Sequence, residues 1–140
     1  MRVACNVPIV AFGSDPPDWL ATSGLALDES GLVRVGPTLQ SVSHPEVFAA
    51  GDITVRDDMA HPRSGVFAVR AGPALAANLR AFAAGATLAP HLPKPNSLNL
   101  LDLGDGRALA SWGDWSASGW LMGWWKRRID RAFVARYRRT

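Results

Sequence analysis

Short apolar runs closed by glycine, proline or aspartate set the rhythm of the first half of this chain. Residues 7–13 form one such run, Val7-Pro8-Ile9-Val10-Ala11-Phe12-Gly13, which ends in the Ser14-Asp15-Pro16-Pro17 turn. That pattern predicts a buried strand, with Pro8 placing it at an edge or a strand start. Across residues 25–35 two apolar stretches flank Asp28-Glu29-Ser30-Gly31, the pattern of a small hairpin. A third run, Val47-Phe48-Ala49-Ala50, is introduced by His44-Pro45-Glu46 and closed by Gly51-Asp52, and it too reads as a strand. Residues 54–62 read as a polar loop.

The rhythm then changes. Residues 64–84 are a long stretch of low polarity with Gly85 just past the end, which predicts a helix with a good C-cap. The spacing of Phe67, Ala71, Leu75, Leu79 and Phe82 predicts burial around much of its circumference, and Gly72-Pro73 predicts a kink. Residues 89–97 are too proline-dense for helix or central strand and predict an extended linker. Beyond it, residues 98–103 and 107–112 flank Gly104-Asp105-Gly106, a strong hairpin signal. From Gly119 the chain can form a helix of about five turns at 3.6 residues each. The expected class is α/β, or α+β in isolation: a small mixed sheet, one long covering helix, then a hairpin and a terminal helix. No internal repeat interrupts this order.

Composition narrows the class. The 140 residues include 48% apolar and 19% charged side chains, which excludes wholesale disorder. No apolar run reaches the roughly 20 residues of a membrane span. The single cysteine, Cys5, excludes an internal disulfide framework, and His44, His61 and His91 show no metal-ligand spacing. With no apolar h-region near Met1, the expected location is the cytoplasm. Charge is uneven: residues 119–140 carry seven Lys and Arg against Asp130 alone, a local +6 within a total of +3, so residues 1–118 carry −3. A basic tail behind a mildly acidic body points to an acidic surface: phospholipid, nucleic acid or another protein.

The chemistry centres on Gly51-Asp52. A carboxylate accepts hydrogen bonds without donating, so Asp52 at a strand's carboxyl end suits a polyol hydroxyl, and Gly51 lets backbone and ligand approach without a Cβ between them. The same two residues also read as an ordinary turn. Their neighbours bear on the choice. The segment Gln40-Ser41-Val42-Ser43-His44-Pro45-Glu46-Val47-Phe48-Ala49-Ala50-Gly51-Asp52 resembles the second flavin-binding motif of the FAD-dependent pyridine nucleotide-disulfide oxidoreductases. Ser41, Val42 and Ser43 each align with the motif's usual threonine. Upstream, Ile9-Val10-Ala11-Phe12-Gly13 and Pro16-Pro17 resemble that superfamily's A-T-G-x-x-P turn, with Phe12 in place of threonine. Downstream, Gly65-Val66-Phe67-Ala68-Val69-Arg70-Ala71-Gly72 and Leu75-Ala76-Ala77-Asn78-Leu79 resemble its flavin-contacting helix. The NADH dehydrogenase-like branch, including proteins associated with selenophosphate synthesis, has a similar tail rich in Trp, Lys and Arg.

The resemblance implies that Asp52, with Gly51 beside it, binds the ribityl chain of FAD. It implies that a helix starting at Gly65 aims N–H groups at the flavin's pyrimidine edge, with Val66 and Phe67 as backbone contacts; near relatives often place Gln where Val66 stands. NAD(P)H is the implied electron donor. No G-x-G-x-x-G turn occurs in the chain, and the C-x-x-x-x-C redox motif is absent. The implied object is therefore the C-terminal part of a flavoprotein with two dinucleotide-binding domains, not competent alone, with no catalytic residue identified. Residues 1–88 would end the NAD(P) domain and contribute to the FAD domain, 89–97 would link, and 98–140 would add the hairpin and basic helix. Its expected partners are the N-terminal FAD and NAD(P) domains or another subunit, or a second copy of itself. The other reading is a non-enzymatic module for dimerisation, or for contact with a membrane or partner protein.

In the terminal helix Leu121, Trp125, Ile129, Phe133 and Tyr137 step by four along one side, with Arg127, Arg131 and Arg138 on the other. Asp130 can pair with Lys126 or Arg127. One reading is an interfacial helix on an anionic membrane, with Trp120, Trp124 and Trp125 at headgroup depth. The other is a terminal helix that docks its aromatic side on the body or on a second subunit. No nucleic-acid motif accompanies it, and nucleic acid is not the expected partner.

Overall fold

Leu20, Val33 and Val35 are the largest fully buried side chains among the described residues, and the first half of the chain is organised around them. A computed structural model describes residues 15–60, 63–94 and 96–138. The chain divides into two compact units, Met1–Pro93 and Lys94–Thr140, with the division inside the proline-rich segment. Each mixes helix and sheet, so the chain is of the α+β kind. The predicted strand at residues 7–13, and Cys5 with it, lie outside the described residues.

In the first unit a short 3₁₀ helix, Asp18–Thr22, follows the extended Pro17 and carries Leu20 into the core. The predicted hairpin forms. Asp28 Oδ1 accepts from the backbone of Ser30 (3.0 Å) and Leu32 (2.8 Å), and Leu27 bridges Val33 in antiparallel sense. The far side of the hairpin is β1, Val33–Val35, whose alternating burial sends both valines inward and Arg34 out.

β1 pairs in parallel with β2, Thr54–Arg56, where a polar loop was expected. The reason is that Thr54 and Arg56 are the buried residues of this strand, each with its polar groups satisfied, so the side chains that looked like loop residues form its inner face. Conversely, residues 47–50 are not a regular strand. They touch the neighbouring segment through one bridge, Gln40 to Phe48, and through bonds from Ser41 N to Val47 O (2.8 Å) and Ala49 N to Leu39 O (3.0 Å). Asp52 therefore precedes a strand rather than ending one. In place of the expected small mixed sheet, the regular sheet of the first unit is this two-stranded parallel pair, and the antiparallel sheet of the second unit stands where the separate hairpin was expected.

The long helix α1, Gly65–Ala83, agrees with the predicted bounds to within a residue. It ends in a Schellman closure: Gly85, at φ +65°, donates to Phe82 O (3.0 Å) and Ala86 donates to Ala81 O (2.8 Å). The expected burial around much of its circumference does not hold. Phe67, Ala71 and Asn78 alone are fully buried on it, while Val69, Leu79 and Phe82 stand exposed.

The second unit holds β3 (Asn99–Asp102), β4 (Ala108–Trp112) and β5 (Trp115–Gly119) in an antiparallel sheet of order β3-β4-β5. β5 adds a strand to the expected hairpin. The two residues Gly113-Asp114 between Trp112 and Trp115 make the tight turn, and the serines and alanine that follow lack an apolar signal of their own. The expected five-turn helix is α2, Trp120–Tyr137. It lies on the first hairpin turn at Gly123, where a methyl group would collide with the Gly106 carbonyl. Arg127 Nη1 donates to that same carbonyl (3.1 Å), leaving Lys126 to pair with Asp130 (2.7 Å). Among the described residues no helix is long and apolar enough to cross a membrane.

Candidate functional site

Three pieces of local chemistry converge on one cleft of the first unit. Gly51 at φ +85° opens a turn whose carbonyl accepts from Thr54 N (3.2 Å) and Thr54 Oγ1 (2.8 Å). That conformation is costly for residues with a Cβ, and a Cβ here would stand 3.4 Å from Ala68 Cβ. The φ of the turn, rather than space, thus calls for glycine, since 3.4 Å is ordinary contact, and Asp52 stands exposed at the rim.

The start of α1 is the second piece. Its first backbone bond runs from Ala68 N to Ser64 O (3.1 Å), so the N–H groups of Gly65 and Val66 lie ahead of the intrahelical ladder. Ser64 has the extended backbone of an N-cap, yet its side chain makes no capping bond, and its buried Oγ makes no hydrogen bond among the described residues. A buried hydroxyl without a partner costs roughly 1–3 kcal/mol. The first turn has no acidic side chain, so the positive end of the helix dipole is not neutralised locally.

Arg56 is the third. Its side chain is 1% exposed. Nε and Nη2 donate to Asp58 at 2.9 and 2.6 Å, and Nη1 donates to the His91 carbonyl at 2.6 Å. The guanidinium thereby ties the end of β2 to the proline-rich segment, whose His91 and Pro93 also line the cleft. Leu39, buried and at φ +68°, also lines the cleft. It takes the left-handed position of the turn after Gly36, where Leu39 N donates to Gly36 O at 3.0 Å. Holding leucine there costs about 1–2 kcal/mol, offset by burying its side chain.

Of the residues singled out from sequence, Gly51, Asp52 and Phe67 line this cleft. Gly65 and Val66 begin the helix without lining it, and Ser41, Val42 and Ser43 lie elsewhere. The Ser43 hydroxyl instead accepts from Ala26 N (2.8 Å) and sits 2.9 Å from His44 Nδ1. Sequence reading missed Leu39, Arg56, Arg63, Ser64 and His91 as lining residues; nothing in a Thr-Val-Arg string announces a buried guanidinium. Among the described residues no cluster of three His, Cys, Asp or Glu side chains gathers for a metal.

The cleft encloses about 20 Å³. That is room for little more than one water molecule, so it grips the edge of a ligand rather than surrounding one. At that edge it presents a carboxylate acceptor, an arginine, an unpartnered hydroxyl and a helix start. Outside the cleft, the Arg34 side chain donates to Asp57 at 3.0 and 2.6 Å and holds that carboxyl below its ordinary range. No protein-family model matches the chain, and no curated protein matches it.

Proposed function

We propose that the first unit is the flavin-facing part of an FAD-dependent NAD(P)H oxidoreductase, completed by a dinucleotide-binding half that supplies the adenylate site. One observation carries this reading: Asp52 and the start of α1 line the same cleft, beside a buried Ser64 hydroxyl that has no partner among the described residues. The donor set fits one edge of FAD. Asp52 accepts from ribityl hydroxyls, Gly51 keeps its backbone close to that arm, and the helix start with Ser64 Oγ favours an electron-rich ring edge. FAD, when bound, supplies the hydride-accepting ring. The residues here orient that ring and place a positive potential beside the edge where negative charge develops, without reorganising. Asp58 pairs with Arg56, which leaves Arg63 as the cleft's further cation. Residues 89–93 wall one side through His91 and Pro93.

Riboflavin tests this reading on the 140-residue chain, because it carries ring and ribityl arm without the adenylate. Titration followed by amide NMR is expected to shift residues 51–52 and 64–68 with weak affinity, and Asp52→Ala is expected to abolish the shifts. Shifts confined to other residues, or unchanged by Asp52→Ala, would overturn the assignment. Tight stoichiometric FAD binding by the chain alone would overturn the claim that a second half is needed.

A further inference from the structure

The second unit buries almost nothing apolar of its own: among the described residues, Ala108 and Ala110 are its fully buried hydrophobic side chains. By contrast, 11 of the 18 exposed large apolar side chains among those residues belong to it. A unit of this size with so small a core is marginal in water and is stabilised when something covers its surface. α2 shows where. Met122, Gly123, Trp125 and Lys126 are wholly or partly buried, whereas every described residue from 127 to 138 is exposed. The apolar row Ile129, Phe133 and Tyr137 thus continues uncovered, and three turns of helix with no packed face are poorly stable alone.

The other side of α2 identifies the occupant. At 100° per residue, Trp120, Trp124, Arg127, Arg128, Arg131 and Arg138 fall within one sector of the helix. Trp120 is 73% and Trp124 52% exposed. The Arg128 guanidinium lies 6.0 Å from the Trp124 ring centroid, a cation–π arrangement that keeps both side chains at one level. Over residues 94–140 the charge is nine basic against four acidic, or +5. Pairing two such units would set like charges together, so a second copy is disfavoured as the cover. An anionic surface is favoured, and the exposed aliphatic Leu121 and Val134 that flank the tryptophan sector suit acyl chains better than bases.

We infer that α2 is a peripheral docking element for an anionic phospholipid bilayer, with Trp120 and Trp124 at headgroup depth and Arg128, Arg131 and Arg138 facing lipid phosphates. The inference stands independently of the flavin reading. Arginines near such a surface contribute about 1 kcal/mol each, or roughly fivefold in partitioning. The aromatic side chains add depth, and the exposed Leu121 and Val134 flank the same sector of the helix.

The test is co-sedimentation of the full chain with vesicles of phosphatidylcholine alone or mixed with phosphatidylglycerol, with tryptophan emission and helicity recorded. Binding is expected on the anionic vesicles with a blue shift, and little on the neutral ones. Changing Arg128, Arg131 and Arg138 together to Gln is expected to weaken it by about 100-fold. Trp120→Ala with Trp124→Ala is expected to reduce the blue shift and to weaken binding by roughly tenfold or more, while leaving the far-ultraviolet spectrum that of a folded chain. Equal binding to neutral and anionic vesicles overturns the inference, as does folded protein that binds neither. Binding unchanged in both variants overturns it too. Displacement from vesicles by a single-stranded oligonucleotide that quenches Trp124 reassigns the surface to nucleic acid, and a dimer that already hides Trp124 reassigns it to a second copy.

Discussion

Asn78 shows how much a single amide holds in place. Its Nδ2 donates to Thr38 O (2.9 Å) and Ala89 O (2.8 Å), and its Oδ1 accepts from Ala89 N (2.9 Å). It is 2% exposed, so α1, the Gly36 turn and the start of the proline-rich segment are clasped at one buried point. Asn78→Ala leaves three backbone groups unsatisfied, and we expect a loss of about 2–4 kcal/mol in urea denaturation. Asn78→Asp keeps the acceptor but forfeits both donations and buries charge, so it is expected to be at least as damaging. Asp57 gives a second prediction at this scale. Hydrogen bonding from Arg34 lowers its carboxyl below the ordinary value, so the pair's contribution is present above that ordinary value and is lost as pH falls through the lower, folded one. An NMR titration is expected to place the Asp57 midpoint below the ordinary aspartate value, and Arg34→Gln is expected to raise it towards that value. At this scale the sequence was legible where a residue acts locally, as with Gly85 and the Asp28 turn. It was silent where partners lie far along the chain: Asn78 reads as one more helical residue, and Arg56 as a loop charge, until residues 89–91 are folded against them.

Elements form where period and punctuation agree. α1, α2, β3 and β4 each have a clear pattern with glycine at an end, and their bounds were readable to within a residue or two. β2 and β5 were not, because Thr54–Arg56 buries its polar positions and Trp115–Gly119 is mostly serine and small residues, so neither alternates in the expected sense. The stretch at 47–50 failed the opposite way: apolar enough for a strand, it finds one bridging partner because its neighbour turns at Leu39. Two substitutions separate intrinsic propensity from packing. Pro73 interrupts the α1 ladder, and Pro73→Ala is expected to raise stability by about 1–3 kcal/mol in chemical denaturation, since it restores a backbone donor on an exposed face. Propensity alone favours Gly123→Ala by about 1 kcal/mol. The Gly106 carbonyl occupies the space that methyl needs, so the expected sign is reversed: α2 shifts off the β3–β4 turn, and helicity and Arg127 contact with Gly106 are lost together.

At the scale of the whole molecule, stability is distributed very unequally. The first unit has a true core in Leu20, Val33 and Val35, with Leu25, Leu27 and Ala49 packed on it. The second has a sheet, two buried alanines and a helix that outruns its support. Local opening energies follow buried contacts, so hydrogen exchange reads this difference directly. The amides of Val33, Val35 and Thr54 are expected to exchange slowest, those of β4 faster, and those of residues 128–138 nearly as fast as in an unfolded chain. Anionic vesicles are then expected to slow exchange in 128–138 while leaving Val33 and Val35 unchanged, because a cover supplied to the overhanging turns stabilises them without touching the first core. Slow exchange in 128–138 before any lipid is added would mean that those turns already have a packed face in water and that stability is not distributed so unequally.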